Sequence, residues 1–121
     1  MALTVNHPTL KEQVVPTTTV VDSSAVVSMW ARAPFRGNVV KWGVINAAVV
    51  DSDRTFTMKI NATASAPTLV VAASGSAAGD NQSAVPTAGF AVNEGDKLEI
   101  ASDGAGSTAS VCSGFFVIQV A

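Results

Sequence analysis

The chain has no tyrosine, one cysteine and one histidine, and only 13% of its residues are charged. Each scarcity closes off some chemistry. A lone Cys112 can form neither an intrachain disulfide nor a CxxC metal or redox pair, and a single His7 supplies zinc sites and Ser–His relays poorly. Seven Lys and Arg against nine Asp and Glu leave a formal charge of −2, with no basic stripe to neutralise phosphates, so nucleic acid is not an expected partner. No apolar run reaches the roughly 18 residues of a membrane helix, and no basic stretch leads into a hydrophobic one near Met1. Neither a membrane anchor nor a signal peptide is expected, and synthesis in a cytosol is the default. Leucine is scarce as well. Four Leu stand against 19 Val, 4 Ile and 11 Thr, and this excess of β-branched residues predicts an all-β protein.

What is present fits one folded domain of 121 residues and 12.3 kDa. A monomer of this mass exposes roughly 6,100 Å², which leaves about one charged side chain per 380 Å². Soluble surfaces are usually more highly charged. The deficit predicts that other chains cover part of this surface. The 20 Ala, 12 Ser and 9 Gly predict thin, closely spaced layers.

Residues 1–22 read as an extended arm, with Pro8, Pro16, a Thr17-Thr18-Thr19 run and no sustained alternation. Proline removes a backbone donor, so such a segment can lie on a sheet edge but not in a sheet centre. Its apolar residues Leu3, Val5, Leu10, Val14, Val15, Val20 and Val21 need a surface to lie on, its own or a partner's. Residues 23–121 read as a single antiparallel β-sandwich of seven or eight strands. Candidate strands fall at about 24–33, 38–50, 54–62, 67–73, 88–93, 96–102 and 110–120, with Val20-Val21 a further one. In Thr55–Asn61 a period of two sends Phe56, Met58 and Ile60 inward, and Leu98 and Ile100 repeat it. Val40, Trp42 and Val44 are expected to share the core face. Phe115-Phe116-Val117-Ile118 is apolar on both faces and so is expected to be covered on both. Asn93-Glu94-Gly95-Asp96 predicts a hairpin turn with glycine at positive φ, and Ser74–Pro86 a long polar loop.

Enzyme chemistry finds few candidates, and none is expected. Glu94 and Glu99 make a poor glycosidase pair, since a small sandwich rarely holds a sugar cleft. Cys112 sits in a strand without a nearby histidine and reads as a buried structural thiol. Asp51 with Asp53, or Asp80 with Asn81, offers oxygen ligands to calcium, but no twelve-residue loop accompanies them, so no metal or other cofactor is assigned. The sequons at Asn61 and Asn81 read as chance matches. Trp42, between two valines, reads as core. Trp30, sharing its face with Ser28 and Arg32, and Phe35, between Pro34 and Arg36, are the aromatic interface candidates.

The extended arm, the Val- and Ala-rich strands, the Val92-Asn93-Glu94-Gly95-Asp96-Lys97-Leu98-Glu99-Ile100 segment and the closing Phe115–Val120 strand together resemble the jelly-roll decoration, or cement, proteins of tailed-bacteriophage capsids. The resemblance covers about residues 24–121 plus the arm. It implies a non-enzymatic homotrimer on the outside of the virion that clamps neighbouring subunits of the major capsid protein. Leu3, Val5, Leu10, Val14 and Val15 of the arm would then touch the shell, and Trp30, Phe35, Phe115 and Val117 would meet partner chains. Jelly-roll and immunoglobulin-type strand orders both remain open. The competing class is a carbohydrate- or receptor-binding module of a phage fibre or surface adhesin, marked by Trp30 or Phe35 in a concave site.

Overall fold

The computed structural model describes residues 12–73, 77, 79–87 and 90–120. The arm residues Leu3, Val5, Leu10 and His7 lie outside that set. Among the described residues there is no helix. The described residues form eleven strands: β1 (Glu12–Pro16), β2 (Val21–Asp22), β3 (Ser28–Arg32), β4 (Gly37–Asn46), β5 (Arg54–Ile60), β6 (Thr63–Ala64), β7 (Leu69–Val71), β8 (Asn81–Ala84), β9 (Phe90–Val92), β10 (Lys97–Ser102) and β11 (Val111–Val120).

All pairings are antiparallel and build two sheets. One runs β1-β11-β4-β8, with β2 also on β11 and β9 also on β4; the other runs β3-β10-β5-β6, with β7 also on β5. Since β1 and β2 share one edge of β11, β8 and β9 one edge of β4, and β6 and β7 one edge of β5, the eleven strands occupy eight columns, four per sheet. The β-sandwich expected from composition and periodicity is therefore present.

Between the sheets, alternate residues of each strand meet in one core. Phe56, Met58 and Ile60 of β5, Leu98 and Ile100 of β10, Trp42 and Val44 of β4, and Phe116 and Ile118 of β11 are buried there. Small residues bring the layers close. Gly114 faces inward, and a Cβ built on it would stand 2.6 Å from Ile100 Cδ1 of the opposite sheet.

Three local expectations are corrected, and a fourth is made specific. A register shift between Val117 and Ile118 places a bulge in the β4–β11 ladder, so Val39 rather than Val40 enters the core beside Trp42. The Asn93–Asp96 turn forms, with Gly95 at φ 88°, but it is a corner and not a hairpin. It carries the chain from β9, which pairs with β4, to β10 in the other sheet. The Ser74–Pro86 loop contains strand β8, paired to β4 from Trp42 to Ile45. An edge strand gains ladder bonds through its main chain, so Asn81–Ala84 needs no apolar alternation. The segment read as an extended arm lies, from Glu12 onward, on a sheet edge of its own chain: β1 runs along Phe115–Gln119. Thr17 donates its N–H to Gly114 O, so along the strand Pro16 presents its missing donor to the outer edge, where proline is tolerated.

One end of the sandwich is locked by polar groups. Arg54, the first inward residue of β5, is fully buried. Its Nη1 donates to Ser23 Oγ at 2.6 Å and its Nη2 to Asp51 Oδ1 at 3.1 Å and to Thr108 O. Ser23 in turn donates to Ser110 O, and Ser102 Oγ donates to Ser23 O. The connections 23–27, 47–53 and 103–110 are thereby tied to one guanidinium. The Asp51 carboxyl is held well below the usual carboxylate range, first by the Ser107 backbone N–H and then by that of Thr108, the Ser107 hydroxyl and Arg54, against a raising effect of desolvation.

Arg54→Met keeps the length of the side chain but removes these bonds, and is expected to lower unfolding free energy by about 3 kcal/mol in urea titrations. A carboxyl whose folded pKa is depressed stabilises the fold above its ordinary value of 3.8 and loses that contribution as pH falls below it. Thermal stability is expected to hold from neutral pH down to about 4 and to drop below that. Asp51→Asn should flatten this acid limb.

Candidate functional site

The register decides what the outer faces carry. On the sheet built around β11, the outward residues of that central strand are Val111, Ser113, Phe115, Val117 and Gln119, none of them charged. Val14 lies opposite Val117 and Pro16 opposite Phe115, while Gly43 and Ile45 flank them on β4. Val14 remains 60% exposed, and Val111 and Ile45 are also exposed. Phe115 and Val117 are half-buried. Gly43 makes this possible, because a Cβ there would run into the Phe115 ring at 2.7 Å and into Gln82 O, so the ring lies over bare backbone. The register puts three described charges on this face: Glu12 at the rim, Lys41, and Asp22. Asp22 is held in its ionised form, first by the Ser24 N–H and then by the Ser24 hydroxyl and the Ser110 N–H. A hollow of about 220 Å³, bordered by Val20, Ile45, Val111 and Ser113, opens near the same end.

The other outer face is different in kind. Its central strand β10 presents Lys97, Glu99 and Ala101 outward, with Trp30 and Lys59 on either side of Glu99. Glu99 is only 9% exposed and accepts a hydrogen bond from Ser28. Trp30, 36% exposed, has Lys97 Nζ 5.2 Å from its ring centroid.

Between the edge strands of the two sheets, β1 and β3, runs a groove of about 510 Å³. Val15, Pro16 and Ala31 form its apolar part, Trp30 one wall, and Thr18, Arg32 and Lys97 its polar margin. Thr18 and Thr19 cross the gap. Thr18 N–H donates to Trp30 O at 2.9 Å, and Trp30 N–H donates to Thr19 Oγ1 at 3.1 Å. Arg32 Nη1 donates to Gly95 O at 3.1 Å, which fixes the guanidinium at the groove's rim.

The residues singled out from sequence therefore separate. Phe115, Val117 and Val14 converge on one face, and Val15 and Trp30 line the groove. Phe35 does not stand free beside Trp30; it is half-buried and packs against the core. Trp42 is fully buried and its Nε1 has no partner. Glu94 lies in the exposed β9–β10 corner. The carboxylates considered for calcium have other duties: Asp51 serves Arg54 and Ser107, Asp53 accepts the Ala73 N–H, and Asp80 that of Ala77. Among the described residues no three His, Cys, Asp or Glu gather as a metal site. Alternation had signalled Trp30, but Arg32, Lys97 and Thr18 as groove residues were not legible, since three separate segments assemble them.

No family model matches this sequence, and comparison with curated proteins and with solved structures returned no similar protein.

Cys112 is buried beneath the β2–β11 pairing, with Sγ 3.9 Å from Met29 Sδ, and burial pushes its thiol up to about 11. Native protein at pH 8 should resist modification by a thiol-specific disulfide reagent for hours and react within minutes in 6 M guanidinium, as followed by thiolate release.

Proposed function

We propose that this chain is a non-enzymatic structural protein that decorates and stabilises the outer surface of a bacteriophage capsid. Copies would associate as a homotrimer through the apolar outer face of the β11 sheet and clamp neighbouring subunits of the major capsid protein. The observation that carries the reading is β11 itself, which is apolar toward the core and uncharged toward the outside. A strand of this kind gains by being covered on both sides. The eight-column topology, in which successive columns mostly alternate between the sheets, supports a jelly-roll-like arrangement over an immunoglobulin-type one.

Magnitude sets how much the face can supply. Four columns at about 4.8 Å spacing and ten residues at about 3.3 Å rise give a flat area of roughly 630 Å². Stable interfaces bury about 800 Å² on each partner. In this reading the shortfall is made up by residues 1–11, which bring the apolar Leu3, Val5 and Leu10. Many copies on one shell then add modest contacts through effective concentration.

A carbohydrate- or receptor-binding module is the second reading, favoured by the exposure of Trp30. A stacked sugar requires a free ring face, and Lys97 stands over one of them. Loss of glycan binding in Trp30→Ala would support that reading.

The decoration reading is tested by mixing purified chain with bare capsid heads lacking decoration and sedimenting the particles. Full-length protein should co-sediment and raise the temperature at which heads release DNA. A variant lacking residues 1–11 should keep its β-sheet circular dichroism yet lose most of its attachment. The truncation stops there because residues 12–18 hold the sheet edge. Heads that bind neither protein would refute the reading.

A further inference from the structure

The groove between β1 and β3 has features that neither the core nor the β11 face accounts for. β3 is the last strand of its sheet among the described residues. Ala33 exchanges hydrogen bonds with Asp96 and Gly95 on the β10 side, whereas Trp30 turns its N–H and C=O the other way, to Thr19 and Thr18. Backbone groups along a strand alternate in direction, so Arg32, two residues on, also points its N–H and C=O outward, and there no Thr18–Thr19 crossing meets them. Among the described residues that ladder position is unfilled, and it stands beside an apolar floor.

The groove's charge is one-sided. Among the described residues, Arg32 and Lys97 stand on the margin and no carboxylate lines it. The nearest acid by register, Glu99, accepts a hydrogen bond from Ser28 and is almost covered. The chain's own first eleven residues contain a lysine and no acid, so they do not complement this site. A free sugar would use the ring faces of Trp30 and leave the strand edge idle. An extended peptide uses both: main-chain bonds to β3, and alternate side chains directed in turn at the apolar floor and at the cations.

We propose that this groove binds an extended acidic peptide segment of a partner protein, added at the open Arg32 end of the β3 edge with its carboxylates on Arg32 and Lys97. The inference stands on the groove and not on the capsid reading. Heads that bind the chain while the peptide fails would sink this proposal alone, and peptide binding without head attachment would sink the other.

The test titrates full-length protein by calorimetry with an end-blocked pentapeptide alternating glutamate and valine, roughly 17 Å long when extended. The Glu–Val peptide is expected to bind. A Lys–Val counterpart should bind at least about tenfold more weakly, and so should the Glu–Val peptide to an Arg32→Glu/Lys97→Glu variant. Lys59→Glu, on the same outer face away from the groove, should change affinity less than about threefold. N-methylation of alternate peptide amides should abolish binding if main-chain pairing holds the ligand. If the reversal variant loses its circular dichroism, Arg32→Gln/Lys97→Gln is measured instead. No Glu–Val binding, equal binding of the Lys–Val peptide, indifference to the groove variants, or full binding of the N-methylated peptide would each overturn the proposal. So would binding of an oligogalacturonate in place of the peptide, which would make the groove an acidic-glycan site.

Discussion

Strand β11 is apolar in both directions, and the remainder of the molecule is arranged around that constraint. Inward, Phe116 and Ile118 meet Trp42, Val39 and the opposite sheet. Outward, Phe115 and Val117 find partial cover from Gly43 and Val14, the latter on β1, which pairs with the edge of β11. A face with Val14, Val111 and Ile45 still in water is a poor final state for a chain with so little charge. The hydrophobic effect favours removing that area, and symmetry offers the same face on every other copy.

The two open sides of the sandwich are treated in opposite ways. At the Arg54 end, three connections converge on a buried guanidinium and the ionised Asp51, so that end is rigid and tightly specified. Along β1 and β3 the closure is partial. Thr18 and Thr19 complete the β3 ladder at Trp30 and then leave it, and the groove begins where they stop. A stiff frame with one unfinished edge is suited to holding another chain by main-chain bonds, which need no particular side chain.

Much of this was legible in the sequence because alternation is a strong signal when one face is buried. Phe56, Met58 and Ile60, and Leu98 and Ile100, face the core as their spacing requires. The rest failed for identifiable reasons. β8 carries no apolar pattern because an edge strand is held by its backbone, and the displaced Val40 follows from a bulge that no spacing rule anticipates. The Asn93–Asp96 turn has a hairpin's residues but connects two sheets, a choice made by long-range pairing. Arg54 occupies an inward position where its charge argued for solvent, and its partners Ser23 and Thr108 are remote in sequence. For the candidate site, Trp30, Phe115 and Val117 were readable as outward residues, whereas Phe35 was not readable as a core-packing one.

Sedimentation equilibrium of the purified chain, alone and as Val117→Glu, tests most directly the proposal that other copies cover the β11 face. The substituted carboxylate would sit opposite Lys41, so the single chain tolerates it. A wild-type trimer near three times 12.3 kDa that dissociates to monomer in the variant is the expected result. A wild-type chain that stays monomeric at high concentration, with its β11 face in water, would contradict the interpretation.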